Sequence, residues 1–394
     1  MSNIYTYYTP TKVIFGRDAE DQVGNLIKAQ GCKKVLIHYG GGSVKRSGLL
    51  DKVVASLEEI GIAYVTLGGV VPNPRLGLVY EGINLCKKEG VDFLLAVGGG
   101  SVIDSAKAIA YGLANEGDVW DFYCGKRVPT ACAPVGAILT LAATGSEMSY
   151  ASVITNEDGW RKCALNNDLA RPKFAIMNPE LTMTLSDYQT ASGCVDIMMH
   201  TIERYLNHSD NMELTDSISE ALLRTMLKYS VILRDDPQNY EARTEVMWAS
   251  SLSHNGLTSF GNDGGDWASH RLEHELSGMF DVAHGAGLSA IWASWARYTY
   301  KERPDRFAKL AVNALGVVPG ATDEETALKG IDTLEEFFHS IHMPISIKEL
   351  VGFEISDAQL EELADKCSFT ANDNLGKVKV LHRSDMLAIY TAAR

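Results

Sequence analysis

The pattern of apolar and polar positions along the chain changes near residue 185. Before that point, short apolar runs alternate with stretches in which apolar positions recur every three or four residues, as in KVLIHYG at 34–40 and LLDKVVASLEEIG at 49–61. The first kind of segment predicts a buried strand and the second an amphipathic helix. Because strands that alternate with helices form a parallel sheet, this half predicts an α/β domain with a Rossmann-like sheet.

The alternation of predicted strands and helices continues to about residue 180, and after residue 185 only helices are predicted. Strands are predicted at 63–69, 92–100, 131–141 and around 174–180, and helices at 75–90 and 101–115. From residue 186 onward the apolar positions keep a helical period, with almost no strand signal. We therefore predict an α/β domain at 1–185, an all-helical domain at 186–394 and an active site in the cleft between them.

Composition narrows the class of protein. A chain of 394 residues exceeds what one core usually holds, and its formal net charge of −14 disfavours binding to nucleic acid or to an anionic membrane. The N-terminus lacks a signal-peptide pattern, and the longest uncharged run, at 131–145, is too short to span a bilayer. Seven scattered cysteines without a C-x-x-C pair fit reduced thiols. These features predict a soluble, cytoplasmic protein.

Three glycines lie between the strand predicted at 92–100 and the helix that follows it. Glycine lets the backbone approach a phosphate closely, and a helix N-terminus offers free N–H groups. A tight turn without a ligand would use the same residues. The spacing is not G-x-G-x-x-G and no Walker lysine follows, so a phosphate site of another fold is indicated. The cofactor contacts predicted here are Gly98, Gly99, Gly100, Ser101 and Asp104.

Two further loops are rich in small or hydroxylic residues. The segment GGGSVKR at 40–46 follows the strand predicted at 34–40 and has two cations and no carboxylate, which favours NADP over NAD. A solvated basic turn would look similar. The segment TLAATGSEMS at 140–149 suits hydrogen bonding to a nucleotide or an ordinary turn. In the first loop, cofactor contacts are predicted at Gly40, Gly41, Gly42 and Ser43.

The candidate metal ligands occur in two helical segments. His270 and His274 are four residues apart, the spacing that places two side chains on one helical face, and Asp196 and His200 share this spacing. For the second pair alone, an aspartate in the first helical turn and a buried histidine remain an alternative. Oxygen and nitrogen donors without thiolate suit Fe²⁺, Zn²⁺ or Mn²⁺. A zincin is excluded because Glu273 stands at the wrong position for H-E-x-x-H.

Together these motifs give the chain a family resemblance. It resembles the iron-containing (group III) alcohol dehydrogenases, which share their fold with glycerol dehydrogenase and dehydroquinate synthase. It is most similar to the branch of NADPH-preferring butanol dehydrogenases and broad-specificity aldehyde reductases. The motifs that carry the resemblance are TPTKVIFG (9–16), YGGGSVKRSG (39–48), PNP (72–74), VGGGSVIDSAK (97–107), LTLAATGSE (139–147), SGCVDIMMHTIE (192–203) and DWASHRLEHELSGMFDVAHG (266–285).

The resemblance implies specific site residues. The implied metal ligands are Asp196, His200, His270 and His284. Pyrophosphate contacts are implied at Gly99, Gly100 and Ser101, and other cofactor contacts at Asn73, Thr140, Leu141, Thr144, Ser149 and Lys162. His270 and His284 would lie about 21 Å apart along one unbroken helix. The helix is therefore expected to break at Ser277–Gly278, between the two histidines, and again at Gly285, just beyond His284.

The resemblance also implies an activity. We expect reversible hydride transfer between NADP(H), or NAD(H), and short- to medium-chain primary alcohols or aldehydes, with a divalent metal as Lewis acid. His274 is a candidate proton relay; a buried histidine that orients a ligand is the alternative. A homodimer is expected from the resemblance. The apolar residues expected to suit such substrates are Met148, Met198, Met199, Phe260, Trp267 and Met279.

Two other functions remain possible. A metal- and NAD-dependent lyase or a polyol dehydrogenase would use the same fold, and the lyase should carry a pocket rich in lysine and arginine for an anionic substrate. A non-catalytic nucleotide sensor would keep the glycine loops but would have little use for four ligands. A bound metal would argue against the sensor.

Overall fold

The structure, a computed structural model, describes residues 4–209 and 212–394. It divides into two compact units. One comprises residues 8–185, and the other comprises residues 186–394 together with the described N-terminal residues up to Tyr7. The domain prediction had assigned those N-terminal residues to the first unit. Tyr5 and Tyr7 instead pack their rings against Phe260 of the helical unit, at centroid distances of 6.2 and 6.1 Å.

The first unit contains one parallel sheet and one hairpin. The strands are β1 (Lys12–Phe15), β2 (Lys34–Gly40), β3 (Ala63–Val70), β4 (Phe93–Gly98), β5 (Val135–Leu139), β6 (Ala151–Asn156), β7 (Arg161–Asn166) and β8 (Phe174–Met177). The six-stranded sheet has the order β1-β8-β5-β4-β2-β3, and all its pairs are parallel. The α/β prediction is therefore confirmed.

The helices of this unit connect its strands. They are α1 (Val23–Ala29), α2 (Ser43–Arg46), α3 (Leu49–Glu59), α4 (Leu76–Glu89), α5 (Gly100–Ala114) and α6 (Trp120–Tyr123). β4, FLLAVG, is buried at every position, as a central parallel strand must be when helices cover both faces of the sheet. α3 covers one face through Leu49, Leu50, Val53 and Leu57, which belong to the core with β2 and β4.

Strand register brings the predicted glycine loops to one edge of the sheet. Tyr39 of β2 pairs with Val97 of β4, and Gly98 pairs with Leu139 of β5. The loops that follow these strands begin at residues 41, 99 and 140 and therefore leave the sheet side by side. In open parallel sheets, ligands bind at this carboxyl edge.

The sequence analysis missed the antiparallel hairpin β6–β7. Its strands are joined by residues 157–160, where Gly159 and Trp160 have left-handed backbone (φ +80° and +50°). The D-G pair at 158–159, flanked by alternating residues, was a hairpin signal that could have been recognised. Thr155 of β6 donates its N–H to the Pro74 carbonyl at 2.8 Å, which fixes the hairpin beside the 72–75 segment.

The second unit is helical, as predicted. Its helices are α7 (Asp187–Tyr205), α8 (Glu213–Asp235), α9 (Tyr240–His254), α10 (Ala268–Phe280), α11 (His284–Thr299), α12 (Pro304–Asn313), α13 (Asp323–Ser340), α14 (Ile347–Val351), α15 (Asp357–Thr370) and α16 (Arg383–Ala392). Within the described part of this unit, strand pairing is limited to a bridge between Leu375 and Leu381. Among residues 4–209 and 212–394, no helix is both long and apolar enough to cross a membrane.

Candidate metal centre and cofactor loops

Two buried residues on α7 form one side of the candidate metal centre. The helix begins with a capping box in which Ser186 and Gln189 satisfy each other's backbone N–H groups. Asp196 and His200 lie one turn apart in the middle of α7, and His200 Nδ1 is 3.6 Å from Asp196 Oδ1. Both side chains are buried, which is costly for a carboxylate unless a cation or hydrogen-bond donors compensate it.

The helix break between His270 and His284 lies later than the sequence indicated. α10 runs through Ser277–Gly278 and ends at Phe280, because Asp281 adopts a left-handed conformation (φ +50°) that closes the helix. His284 is then the first residue of α11. The prediction of a break at Ser277–Gly278 was therefore wrong.

Gly285 does not break a helix either. It lies inside α11, where a Cβ atom would stand 1.9 Å from the carbonyl oxygen of Ser192. Glycine at this position allows α11 to approach α7 closely, and that approach brings His284 near Asp196.

Three side chains from three helices converge in the helical unit. Asp196 Oδ1 lies 3.8 Å from His270 Nε2 and 3.7 Å from His284 Nε2, and the three candidate ligand atoms all lie within 4.8 Å of one another. His200 stands outside this group, although its ring is 4.8 Å from that of His270 between centroids.

The donor set fits a borderline divalent metal. Asp196 Oδ1, His200 Nδ1 and His270 Nε2 are buried, and none has a hydrogen-bond partner in the part of the chain that the structure describes. Buried polar atoms are nearly always paired, so three unpaired ligand atoms in one cluster fit a site for a cation. A carboxylate with imidazoles suits Fe²⁺, Zn²⁺ or Mn²⁺.

His274 lies beside this cluster but not in it. It is buried on α10, one turn after His270, and its ring centroid is 5.7 Å from that of His284. Its candidate ligand atom groups with those of Glu273 and His284 and not with that of Asp196. The relay role of His274 stays a prediction.

Sequence reasoning gave no role to three residues at this site. Glu203 Oε1 lies 3.2 Å from His270 Nδ1, Glu273 Oε2 contacts His284 Nδ1, and the ring of His254 is 4.1 Å from that of His200. Glu203 follows Asp196 by seven residues, two helical turns, so its place on the same face could have been inferred. For His254, at the end of α9, no comparable signal is present in the sequence.

The buried histidines have shifted pKa values of opposite sign. Burial and the neighbouring His254 and His270 hold the pKa of His200 well below its usual range, so its ring is neutral, the form that binds metal. Burial also works to lower the pKa of His270, but Glu203 and Asp196 outweigh it and raise that pKa to about 9. A metal ion bound by His270 would have to displace this proton.

In the α/β unit, the glycines at 98–100 are required by packing within the protein. A Cβ on Gly98 would stand 2.5 Å from Val102, one on Gly99 would stand 3.0 Å from Leu141, and one on Gly100 would stand 2.3 Å from Thr144 Oγ1. The glycines thus bring the 140–144 loop against the N-terminus of α5. This packing leaves Ser101 partly exposed at the first turn of that helix.

Asp104 is engaged inside the protein. Its Oδ1 accepts the Ser146 hydroxyl at 2.5 Å, and its Oδ2 accepts the Val153 N–H at 2.9 Å. Nearby, Lys107 Nζ donates to the carbonyls of Ser146 and Ser149 at 2.7 and 3.0 Å. Because both carboxylate oxygens are used, this geometry favours a structural role for Asp104, which fixes the 146–153 segment, over the predicted cofactor contact.

The other predicted cofactor residues lie at the ends of strands or on the hairpin. Thr140, Leu141 and Thr144 are partly exposed, whereas Asn73, Ser149 and Lys162 are buried. Lys162 pairs with Thr155, whose N–H donates to the Pro74 carbonyl, so Lys162 lies near the 72–75 segment that contains Asn73. Gly41 and Ser43 are exposed after β2, together with Lys45 and Arg46.

Two family models match the chain. One, described as iron-containing alcohol dehydrogenase, matches residues 10–179. The other, described as the C-terminal domain of the Fe-containing alcohol dehydrogenase family, matches residues 190–394. Together they cover both units.

Known proteins are similar over the full length. The chain is 43% identical to a protein named probable NADH-dependent butanol dehydrogenase 1 from Bacillus subtilis, over 99% of each chain. It is 33% identical to the NADPH-dependent aldehyde reductase YqhD of Escherichia coli, over 100% of each. The solved structure of an NADH-dependent butanol dehydrogenase A from Thermotoga maritima superposes with a TM-score of 0.95 at 37% identity, covering 99% of this chain and 98% of that one.

Proposed function

The chain belongs to the iron-containing alcohol dehydrogenase family, and from that premise we propose metal-dependent, reversible hydride transfer between NADP(H) and short- to medium-chain primary alcohols or aldehydes. Oxidoreduction of an alcohol or aldehyde with a nicotinamide cofactor follows from the family and the relatives. The observation that supports a metal is the convergence of Asp196, His270 and His284, in which Asp196 Oδ1 and His270 Nε2 are buried without a hydrogen-bond partner among the described residues. This cluster would have no evident purpose in a nucleotide sensor.

The residues of the helical unit would bind the ion and transfer the proton of the substrate hydroxyl. When bound, the metal supplies Lewis acidity to the substrate oxygen and the nicotinamide carries the hydride. Asp196, His200 and His270, with His284, would form the ligand set, and their burial limits competition from water. His274, one turn after His270, would accept or return the hydroxyl proton on a ring nitrogen.

The surroundings of the ligands support an apolar substrate. The Trp267 ring lies 5.0 Å from that of His270 and is partly exposed, so it can form an apolar wall beside the centre. Met198 and Met199 of α7, which were also expected to suit the substrate, are fully buried. They stabilise packing, and Trp267 is the better candidate for contact with an alkyl chain.

The preference for NADP(H) rests on the loop after β2. Its exposed residues include Ser43, Lys45 and Arg46, which could bind a 2′-phosphate, and the loop has no carboxylate to hold a ribose hydroxyl. Of the three relatives compared above, two are named NADH-dependent and one NADPH-dependent. If the loop binds the 2′-phosphate of NADPH, replacing Lys45 and Arg46 by alanine lowers kcat/KM for NADPH and leaves kcat/KM for NADH nearly unchanged.

The central experiment measures oxidation of NADPH and NADH with butyraldehyde. The protein is assayed as purified, after complete chelation, and after reloading with Fe²⁺ or Zn²⁺. We expect activity to disappear on chelation and to return on reloading, with the higher kcat/KM for NADPH. Full activity in metal-free protein, verified by elemental analysis, would refute the metal mechanism, whereas a higher kcat/KM for NADH would refute only the cofactor preference.

A further inference from the structure

We propose that Glu203 and Glu273 are positioning residues of the metal centre, each of which holds the Nδ1 side of one histidine so that its Nε2 faces Asp196. This inference rests on the metal site of the proposed function. Both carboxylates are fully buried, with 0% of the side chain exposed. A carboxylate in such a place needs a compensating donor or cation.

Glu203 contacts both the backbone and the ring of His270, through a hydrogen bond to the backbone and at an ion-pair distance to the ring. Its Oε1 accepts the backbone N–H of His270 at 3.0 Å and lies 3.2 Å from Nδ1 of the same residue. The opposite ring nitrogen, Nε2, lies 3.8 Å from Asp196 Oδ1. Because Glu203 and Asp196 are both on α7, one helix fixes the first turn of α10 and also the direction of the His270 ring.

Glu273 contacts the corresponding ring nitrogen of His284. Its Oε2 accepts from His284 Nδ1, and its Oε1 accepts from the Ser277 hydroxyl. Gly287 of α11 makes room for it, since a Cβ there would stand 2.8 Å from the Glu273 side chain. His284 Nε2 then lies 3.7 Å from Asp196 Oδ1.

Two histidines from different helices, His270 and His284, thus each have a buried carboxylate at Nδ1 and have Nε2 towards Asp196. A carboxylate at Nδ1 favours the tautomer with its proton on that atom, which leaves the Nε2 lone pair free for a metal. It also restricts rotation of the ring before metal arrives. His200 lacks this arrangement, because its Nδ1 is the nitrogen nearest Asp196. Removing a carboxylate that orients a ligand typically weakens metal binding by about 10- to 100-fold.

The test compares metal affinity in Glu203→Gln and Glu273→Gln with that of the parent protein. The metal is removed, and Zn²⁺ binding is measured by competition with a chromophoric chelator. The visible spectrum of bound Co²⁺ reports the coordination geometry. Glu275→Gln is the matched control, because Glu275 is also buried on α10 but contacts Thr370. Thermal unfolding of each metal-free protein shows whether a variant is folded.

We expect each of the two variants to bind Zn²⁺ about 10- to 100-fold more weakly and to show an altered Co²⁺ spectrum, with metal-free unfolding close to that of the parent. Glu275→Gln should bind like the parent. If the parent binds Zn²⁺ tightly and both variants bind it equally well, the inference is wrong while the metal site stands. A parent that binds neither metal refutes the metal site and the inference together. Should one variant fail to fold, the other decides.

Discussion

At the scale of single residues, the surroundings of each histidine decide what it can do. His200 and His270 lie on neighbouring helices with ring centroids 4.8 Å apart, yet burial lowers the pKa of one and carboxylates raise the pKa of the other. His274 is equally buried but lies outside the group around Asp196. Residue type and spacing alone would have paired His270 with His274.

The first prediction separates these two histidines. His270→Ala removes a candidate ligand and should abolish both stable metal binding and turnover. His274→Ala should retain the metal and lower kcat, because a relay contributes only to proton transfer. Metal content by elemental analysis and steady-state rates measure the two effects. Loss of metal in His274→Ala, with retention in His270→Ala, would contradict the ligand assignment.

A second prediction concerns His38, which is buried in the α/β unit. Its Nδ1–H donates to the Leu67 carbonyl at 2.9 Å, and its Nε2 accepts from Ser105 at 2.8 Å. Burial lowers its pKa from 6.5 to about 4. Between these values the unfolded chain binds a proton that the folded chain does not. As the pH is lowered from about 6.5 to about 4, the free energy of unfolding should therefore decrease, and this residue should account for about 3 kcal/mol of the decrease.

Replacing His38 isolates this effect. His38→Asn should be less stable at neutral pH. Between pH 6.5 and 4, the slope of its free energy of unfolding against pH, measured by urea unfolding, should be smaller by the contribution of one proton. His342→Asn is the control, because His342 is exposed and asparagine tolerates its left-handed backbone (φ +64°). An unchanged slope in His38→Asn would show that this ring titrates normally in the folded protein.

At the scale of elements, close packing between helices builds the candidate metal centre. α7, α10 and α11 each supply at least one candidate ligand, and two glycines of α11 permit the contacts that bring them together. Gly285 faces the backbone of α7, and Gly287 faces Glu273 of α10. The end of α10 at Asp281 then lets the chain turn before His284.

A third prediction tests this packing. Gly285→Ala places a methyl group against the Ser192 carbonyl, so α11 must move away from α7, and overpacking of this kind costs about 1–3 kcal/mol. The displaced His284 should also weaken Zn²⁺ binding. Gly77→Ala in α4 is the matched control, because its nearest neighbour would be 3.7 Å away, and it should stabilise the helix slightly. Thermal unfolding and chelator competition measure both variants. Equal effects of the two substitutions would refute this account.

At the scale of the whole molecule, the two compact units carry different tasks. The loops predicted to bind the cofactor belong to residues 8–185, and the four predicted metal ligands belong to residues 186–394. Each unit has its own core, with the parallel sheet in one and packed helices in the other. Binding of the cofactor and binding of the metal are therefore expected to be separable.

A fourth prediction follows from this separation. Complete chelation should abolish turnover but leave the dissociation constant for NADPH, measured by fluorescence titration, within about threefold. Conversely, Gly100→Ala, whose methyl group would collide with Thr144, should weaken NADPH binding and leave the metal content unchanged. Metal removal that also abolishes NADPH binding would show that the two sites depend on each other.

The sequence by itself determined the fold class and the candidate chemistry. Periodicity distinguished a strand–helix half from a helical half, because apolar spacing reflects directly which face of an element is buried. Motif spacing nominated the pairs Asp196–His200 and His270–His274, and the family resemblance then implied His284 as a ligand in place of His274. The D-G turn of the hairpin was also present in the sequence but was not recognised.

Only the tertiary structure decided how these residues are supported. Glu203, Glu273 and His254 reach the site from positions whose role depends on how three helices pack, and packing is not encoded in local spacing. The role of Asp104 was likewise decided by packing, because its carboxylate accepts hydrogen bonds from Ser146 and Val153, which lie far from it in sequence. Periodicity shows that a face is buried but not which side chain it meets, because the partner comes from a distant part of the chain.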